Sequence, residues 1–349
     1  MEYSLKIQNV WKIFGDYSKD ILKDIQSRNL TKQEALEKYN VVIGVSDVSF
    51  DVKKGEIFCV MGLSGSGKST LVRHINRLLE PTSGQILINN RDIMGFDKKS
   101  LQIFRNQTVG MVFQNFALMP HRSVIDNIAL PLEIRGINKN ERLSLARNVL
   151  DLVELKGWGD RYAHELSGGM QQRVGLARAL AADPDILLMD EPFSALDPLI
   201  RRQLQTEFIK LSNQMNKTTV FITHDLDEAV RIGHRIAIMR DGKIVQIGTP
   251  EEIVLSPIDE YVADFVRGIS RLQIVKASTI MQPLSNLEKK TLSPSKTCQR
   301  VSQNDKLSQL YDRALLTNKP LIVINEKHED VGFITFSDLI KAAIQDHSI

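Results

Sequence analysis

The chain has 349 residues, enough for two domains, and its hydrophobic content of 42% is ordinary for a globular protein. Forty-five basic against 42 acidic residues leave a net charge of +3, which excludes the strongly basic surface of a nucleic-acid-binding protein. Cys59 and Cys298 lie far apart, so we expect no disulfide framework and a reducing compartment. The sequence shows neither a signal-peptide core nor an apolar run of about 18 residues, so we expect no membrane-spanning segment.

The N-terminal part of the chain is predicted to form strand, then helix, then strand. Residues 4–14 alternate apolar and polar side chains, which predicts an edge strand closed by a glycine turn. Residues 16–40 carry many charged side chains and predict one or two short amphipathic helices, with Thr31 and Glu34 forming a capping box. Residues 41–52 return to a strand pattern.

A predicted phosphate-binding loop follows the short apolar strand 57–61. The segment Gly62–Thr70 fits the P-loop pattern G-x-x-x-x-G-K-[ST] and precedes the helical run 71–79. Its glycines let the backbone wrap a phosphate, while N–H groups and the helix N-terminus point at the anion. The nucleotide-binding residues predicted here are Gly62, Ser64, Gly65, Ser66, Gly67, Lys68, Ser69 and Thr70. Lys68 is expected to reach the β- and γ-phosphates and Ser69 to ligate Mg²⁺; an accidental glycine–serine turn is the alternative.

Strand and helix patterns alternate as far as about residue 250, with one interruption. Strands are predicted at 85–88, 109–114, 186–190 and 218–224, and a hairpin at 235–247. The near-continuous apolar strands among them are typical of a parallel sheet that is buried on both faces. Residues 123–182 are mostly helical instead, which indicates an inserted helical subdomain.

Two further segments carry groups suited to nucleotide chemistry. Asp190 and Glu191 end a buried strand, where the first can hold Mg²⁺ and the second can orient the attacking water or accept its proton. Residues 166–173 place a glycine pair at a helix start, which is a second anion-binding helix N-terminus. On the residues alone, a pair of solvated carboxylates and an ordinary helix cap are the alternatives.

The order of these motifs resembles the ATP-binding cassette (ABC) family of transport ATPases over residues 4 to about 250. The resemblance rests on Gly62–Thr70, Gln114, Leu166–Gly169, Asp190-Glu191, Ser194–Asp197 and His224, in that order. It implies an α/β fold, a P-loop NTPase with an N-terminal antiparallel β subdomain and an inserted helical subdomain at about 115–182. A small C-terminal α+β module would follow the ATPase domain, which is placed at 1–268.

The resemblance also implies roles for residues outside the P-loop. Phe14 matches the aromatic residue that stacks on adenine, with an ordinary core phenylalanine as the alternative. The matches to catalytic groups are Glu191, His224 and Gln114, and those to Mg²⁺ contacts are Ser69, Gln114 and Asp190. The matches to contacts with a nucleotide held by a second copy are Ser167, Gly168, Gly169 and Gln171, and Asp197 matches the link between the two sites. ATP and Mg²⁺ are the implied cofactors, and a homodimer is the implied assembly.

Several departures narrow the resemblance to importers of glycine betaine, proline betaine and related quaternary amines. Phe14 lies farther ahead of Lys68 than in most cassettes, and the additional segment 16–40 looks like the insertion of that subfamily. The runs that also look like it are 62–73, 113–121 and 191–201. Residues 269–349 resemble a single CBS-type module, whereas osmoregulatory members commonly carry two. We expect these tails to pair across the dimer, and leave open whether they sense ionic strength or nucleotide or only stabilise the dimer.

The predicted function is ATP hydrolysis that drives uptake of a quaternary amine through an integral-membrane permease. A substrate-binding protein would belong to the complex, nucleic acid would not, and the chain would lie peripherally on the cytoplasmic face of the inner (cell) membrane. Alternatives are an importer ATPase for methionine, a polyamine, choline or trimethylamine N-oxide, a soluble cassette ATPase acting on ribosomes or DNA, and a nucleotide-binding regulator without turnover. The presence of Glu191 and His224 counts against the regulator.

Overall fold

A computed structural model describes residues 2–285, 298–317 and 319–344. The chain divides into two compact units between Thr249 and Pro250. The sequence places the domain limit later, near residue 268. The difference arises because Leu255 packs against the core of the tail and Glu251 accepts a hydrogen bond from the backbone of Lys276 at 3.0 Å. The predicted limits 1–268 and 269–349 describe family domains, whereas the division after Thr249 describes compact units. The predicted domain limits therefore stay a prediction.

A six-stranded sheet forms the centre of the first unit. Its strands are β3 (Ile57–Met61), β6 (Val109–Val112), β7 (Ile186–Asp190), β8 (Thr218–Thr223), β9 (Arg235–Arg240) and β10 (Lys243–Gly248). Their order is β10-β9-β3-β8-β7-β6, parallel except for the β9–β10 hairpin. Every residue of β3, β7 and β8 is buried, as their apolar runs predict. The carboxyl ends of these three parallel strands lie at one edge of the sheet.

A second sheet of the first unit is antiparallel throughout. Its strands are β1 (Tyr3–Phe14), β2 (Val42–Lys53), β4 (Ser83–Ile88) and β5 (Arg91–Asp92), in the order β2-β1-β4-β5. The prediction of β1 as an edge strand is wrong, because Leu5 pairs with Ile88 on one side and with Val52 on the other. Alternation along a strand reports burial of one face and carries no information about how many neighbours the strand has.

The helices of the first unit are α1 (Lys19–Arg28), α2 (Lys32–Tyr39), α3 (Lys68–Ile75), α4 (Lys98–Gln107), α5 (Val124–Ile134), α6 (Lys139–Leu152), α7 (Gly168–Ala181), α8 (Pro198–Met215) and α9 (Leu226–Ile232). Helices α5, α6 and α7 share a separate core and form the predicted helical subdomain. Helices α1 and α2 lie between β1 and β2, and the predicted capping box of Thr31 and Glu34 is confirmed. Throughout the described residues, the helices are too short or too polar to cross a membrane.

The second unit is a small α+β structure. Its elements are α10 (Pro250–Leu255), α11 (Glu260–Val266), α12 (Ala277–Ile280), β11 (Arg300–Ser302), α13 (Leu307–Thr317), β12 (Leu321–Ile324), β13 (Asp330–Ile334) and α14 (Phe336–Ile344). Strand β12 lies between β11, which is parallel to it, and β13, which is antiparallel. The predicted helix–strand–strand–helix order after residue 306 is confirmed, whereas part of the polar stretch 283–304 lies outside the described residues.

Candidate active site

The P-loop joins strand β3 to helix α3 at the carboxyl edge of the six-stranded sheet. Gly67 has a φ of 104°, and a Cβ at this position would collide with the Gly44 carbonyl oxygen of β2. The Ser66 hydroxyl is buried and, within the described ranges, lacks a hydrogen-bond partner. A buried polar group without a partner is uncommon in folded proteins, and a bound ligand or water satisfies such a group when it is present. The loop therefore fits an anion that accepts hydrogen bonds.

The Lys68 ammonium group folds back onto its own loop. Its Nζ donates to the carbonyl oxygens of Gly62 at 2.8 Å and Leu63 at 3.0 Å. It also lies 4.0 Å from Glu191 Oε1. Burial lowers the pKa of Lys68, although the Glu191 and Asp190 charges oppose this shift. Phosphate oxygens would give this partly desolvated cation stronger, charged acceptors than the two carbonyls.

The predicted Mg²⁺ side of the site brings two residues from different elements together. Ser69 Oγ, in the first turn of α3, donates to Asp190 Oδ1 at 2.8 Å, and Asp190 ends β7. Arg73 of the same helix places NH2 3.7 Å from Asp190 Oδ2. A hydroxyl and a carboxylate oxygen are hard ligands of the type that Mg²⁺ prefers beside phosphates. These two residues therefore fit the metal, and Arg73 is a neighbour that the motifs did not indicate.

Glu191 and His224 lie side by side at the ends of β7 and β8, although they are 33 positions apart in sequence. Glu191 Oε2 and His224 Nδ1 are 3.0 Å apart. Glu191 has a φ of 46°, a left-handed conformation that is strained for a residue with a side chain. Its N–H donates to the Ile222 carbonyl oxygen at 3.1 Å, which holds this conformation against β8. The pair presents a carboxylate, oriented by an imidazole, beside the P-loop lysine.

Gln114 follows strand β6 and reaches the same region through a serine. Its Nε2 donates to Ser194 Oγ at 3.3 Å, and Ser194 Oγ donates to the Glu191 carbonyl oxygen at 3.0 Å. Sequence reasoning gave Ser194 no role of its own, because a single serine carries no pattern. In the structure it connects the segment after β6 with the backbone of Glu191.

Phe14 lies at the end of β1, close to the start of α3. The residue is 39% exposed. A Cβ on Gly44 would come within 2.6 Å of Phe14 Cε2 and 3.5 Å of Thr70 Cγ2, so the ring covers the backbone of Gly44 next to Thr70. The Lys12 ammonium lies 5.1 Å from the ring centre. An aromatic face beside the phosphate loop is placed where a nucleotide base can stack on it.

The residues predicted to contact a nucleotide held by a second copy, called the signature below, are Ser167, Gly168, Gly169 and Gln171, and they belong to the helical subdomain. Ser167 caps α7 and its hydroxyl accepts a hydrogen bond from the Met170 N–H at 3.4 Å, while Ser167 and Gly168 are exposed. Gln171 Nε2 donates to the carbonyl oxygens of Ala163 and Leu166, so this amide stabilises the preceding turn. In the described part of the chain, no hydrogen bond joins residues 167–171 to residues 62–70. The structure thus brings Lys68, Ser69, Asp190, Glu191 and His224 together but leaves the signature apart from them.

Asp197 caps helix α8 of its own chain. Its Oδ1 accepts from the backbone N–H groups of Leu199 at 3.2 Å and Ile200 at 3.1 Å. One turn further along, Arg201 donates to the carbonyl oxygens of Phe193 and Leu196. The segment between Glu191 and α8 is therefore held by side chains that the helix itself supplies.

Comparison with known proteins decides the family. Residues 45–194 match the family described as ABC transporter. The chain is 45% identical over 345 residues to the glycine betaine transport ATP-binding protein OpuAA of Bacillus subtilis (strain 168), over 99% of this chain and 79% of that protein. The chain belongs to the ABC transporter family. The ABC resemblance and fold class drawn from the motifs are thereby confirmed.

Two further comparisons extend this ABC assignment. The trimethylamine N-oxide transport system ATP-binding protein TmoW of Pelagibacter ubique (strain HTCC1062) is 44% identical over 336 residues, covering 96% of both chains. A dimeric, post-hydrolysis structure of the ATP-binding cassette MJ0796 bound to ADP and Pi is 32% identical, with a TM-score of 0.59 over 70% of this chain and 98% of that one. This ABC subunit binds ATP with Mg²⁺ and hydrolyses ATP, and it works as a dimer with a membrane permease in an importer.

Proposed function

We propose that the chain energises the import of glycine betaine or a related quaternary amine. The supporting observation is the share of this chain that aligns with each relative. The MJ0796 cassette aligns with 70% of this chain, whereas the glycine betaine relative aligns with 99% of it. Insertion helices α1 and α2 and the second unit therefore lie within the alignment with a quaternary-amine transporter subunit. These are the parts that a general cassette function does not require.

Trimethylamine N-oxide is the second candidate solute. The relative named for it spans 96% of this chain and is itself covered to 96%, so the two proteins have nearly the same extent. The glycine betaine relative is longer than this chain, which covers only 79% of it. Both solutes are small amine derivatives, and selection between them would be made by a permease and a substrate-binding protein that accompany this subunit.

We further propose that each chain contributes half of each ATP site. Phe14 would stack on adenine, the P-loop would hold the phosphates, and Ser69 and Asp190 would hold Mg²⁺. The exposed Ser167 and Gly168, with Gly169 behind them, would close the site from the second copy, with Asp197 beside the junction. Their exposure and the lack of a hydrogen bond to the P-loop in the described chain support this assignment. Closure of the two copies would then be a condition for hydrolysis.

Glu191 is the proposed acceptor of the proton from the attacking water. Its carboxylate is oriented by His224 Nδ1 at 3.0 Å, and Gln114 is connected to its backbone through Ser194. Lys68 would neutralise charge on the β- and γ-phosphates as the bond to the leaving oxygen breaks. Mg²⁺, when bound, supplies further charge neutralisation at the same phosphates. The hydrogen bond from the Glu191 N–H to the Ile222 carbonyl oxygen would hold the strained backbone, and with it the carboxylate, at this place during the reaction.

An apolar groove is the proposed docking site for the permease. The groove, of about 400 Å³, lies between the central sheet and the helical subdomain and includes Leu78, Met119 and Ile134, all of them substantially exposed. Exposed apolar surface of this kind indicates a protein contact. Phe113, next to Gln114, also lines it, so a docked permease would lie one residue from the proposed catalytic region. Docking there would place the chain on the cytoplasmic face of the membrane.

Reconstitution tests the solute directly. The chain would be assembled with its permease and binding protein in lipid vesicles, and ATP hydrolysis would be measured with glycine betaine, trimethylamine N-oxide, choline or methionine. We expect glycine betaine to stimulate hydrolysis most, and methionine not at all. Stimulation by methionine alone would refute the quaternary-amine assignment, and stimulation by trimethylamine N-oxide alone would select the second candidate.

A further inference from the structure

The helical insertion contacts the P-loop. Lys32, the first residue of α2, donates from Nζ to the Gly65 carbonyl oxygen at 3.0 Å. The two residues are 33 positions apart. Gly65 stands at the exposed tip of the loop, and a Cβ built on it would meet no atom within 4 Å. The tip is therefore open to solvent, and Lys32 reaches it from the insertion.

Packing and hydrogen bonds hold the insertion against the antiparallel sheet, and this fixes the position from which Lys32 extends. The insertion side chains Ile25 and Ala35 are fully buried in a core shared with Trp11, Ile13 and Ile43 of the antiparallel sheet. Three side-chain hydrogen bonds join the insertion to other parts of the first unit. Tyr17 donates to Thr82 and Gln26 donates to Ser83, both at 3.0 Å. Asn29 accepts from Lys243 at 2.6 Å. Helix α2 also begins with a complete capping box. Because the helix start cannot fray freely, Lys32 extends from a fixed backbone position.

Two successive peptide groups of the P-loop are held from outside in this way. The Gly65 carbonyl oxygen accepts from Lys32, and the Ser66 carbonyl oxygen accepts from the Gly242 N–H at 2.9 Å. In a planar trans peptide the C=O and the following N–H point in opposite directions. Bonds to the outer carbonyls therefore leave the N–H groups of Ser66 and Gly67 facing the inner side of the loop.

We propose that Lys32 is a positioning residue for ATP, which fixes and polarises the Gly65–Ser66 peptide. A charged donor on the carbonyl strengthens the N–H of the same peptide as a hydrogen-bond donor. In the structure the Ser66 N–H donates to the Leu63 carbonyl oxygen at 3.2 Å, an interaction that a phosphate oxygen can replace. Gly242, in the turn of the β9–β10 hairpin, holds the Ser66–Gly67 peptide, and Lys32 of the insertion holds the Gly65–Ser66 peptide.

The inference rests on the proposed role of residues 62–70 as the phosphate site and adds a residue that the P-loop motif does not contain. Lys32 contacts the loop rather than the reacting atoms, so its loss should weaken ATP binding more than it slows the chemical step. The expected signature is a higher Kd and KM for ATP with an almost unchanged kcat.

The test compares Lys32→Met and Lys32→Arg with Lys23→Met in the full chain. Lys23 is an exposed lysine on α1, and within the described ranges it makes no hydrogen bond to residues 62–70, so its variant removes the same charge from the same insertion. Isothermal titration with ATP and Mg²⁺ should give a Kd about fivefold higher for Lys32→Met, as expected for one partly exposed charged hydrogen bond. Lys32→Arg and Lys23→Met should stay within about twofold of the parent protein.

Controls distinguish a misfolded variant, the loss of the Lys32 contact and a failure of the proposed phosphate site. Circular dichroism checks folding, and Lys32→Leu, which also lacks a donor, replaces Lys32→Met if the latter is not folded. An unchanged Kd in folded Lys32→Met, an equal rise in the Kd of Lys23→Met, or a fall in kcat at constant KM would each overturn the inference. Lys68→Ala serves as the reference for the loop itself: if it binds ATP with the parent Kd, the proposed phosphate site fails too, whereas loss of binding there leaves only Lys32 in question.

Discussion

At the scale of single residues, the proposed chemistry depends on one carboxylate in an unfavourable backbone conformation. Glu191 combines a left-handed φ of 46° with a contact to His224 at 3.0 Å. Its position after a buried strand was predicted from the sequence, but its conformation was not. Non-glycine residues adopt this region rarely, and only surrounding contacts, here with Ile222 and Ser194, select it.

The variant Glu191→Gln should retain ATP binding and lose hydrolysis. The amide keeps the size of the side chain but cannot accept the proton of the attacking water, so kcat should fall roughly 10²-fold to 10⁴-fold. Gel filtration with ATP should then show an accumulated ATP-bound dimer. Glu326→Gln, on an exposed turn of the second unit, is the matched control. Parent-level turnover in Glu191→Gln would remove the proposed role.

His74 should make the stability of the first unit sensitive to acid. Burial lowers the pKa of His74 to about 4. Its Nδ1 lies 2.7 Å from the Leu79 carbonyl oxygen, and its Nε2 is buried without a partner in the described chain. The folded state thus keeps the ring neutral while the unfolded chain takes up a proton near pH 6.5. Stability is complete above that pH and is lost as the pH falls towards the folded-state pKa.

Between pH 7 and pH 5 this loss should amount to about 2 kcal/mol of unfolding free energy. His74→Asn, which keeps a donor for Leu79 and cannot titrate, should be less stable at pH 7, and the gap between the two proteins should narrow by that amount at pH 5. Urea unfolding at both pH values measures it. Parallel pH dependence in the two proteins would exclude His74 as the cause.

At the scale of elements, the signature helix α7 should matter for assembly and not for binding by one copy. Ser167→Arg places a bulky side chain on the exposed turn that would meet the partner. We expect ATP binding by the monomer to be unchanged and hydrolysis to fall on the order of 10²-fold, because a small displacement of the phosphate contacts suffices. Ser167→Ala isolates the cost of the lost helix cap, about 1 kcal/mol. Equal activity of the parent and Ser167→Arg would contradict the shared site.

Much of the fold follows from local sequence patterns, and the remainder depends on tertiary pairing. The buried strands β3, β7 and β8, the P-loop between strand and helix, and the insertion helices were all predicted, because each has its own periodicity or caps. The inner position of β1 was not, since alternation does not reveal a second neighbour. The contacts of Ser194 with Gln114 and of Lys32 with Gly65 were also not predicted, because they join segments whose facing sides are set only by packing.

At the scale of the whole molecule, the two compact units should be separable. Truncation after Thr249 avoids cutting through the contacts that Glu251 and Leu255 make with the tail. We expect the remaining unit to keep basal ATP hydrolysis within about twofold, since the proposed site residues all precede the cut. The response of hydrolysis to ionic strength, or the dimer dissociation constant, should change. If neither changes, the regulatory or dimerising role of the tail is refuted.

The exposed turn at Ser167 and Gly168 has a consequence for how hydrolysis depends on protein concentration. If two copies must meet to complete a site, the rate from free subunits rises with the square of their concentration when the dimer is weak. A permease with two docking positions would hold two copies at a high effective concentration, so that encounter no longer limits the rate. ATP would then be hydrolysed mainly by subunits that are docked on a permease, and free subunits would hydrolyse little of it.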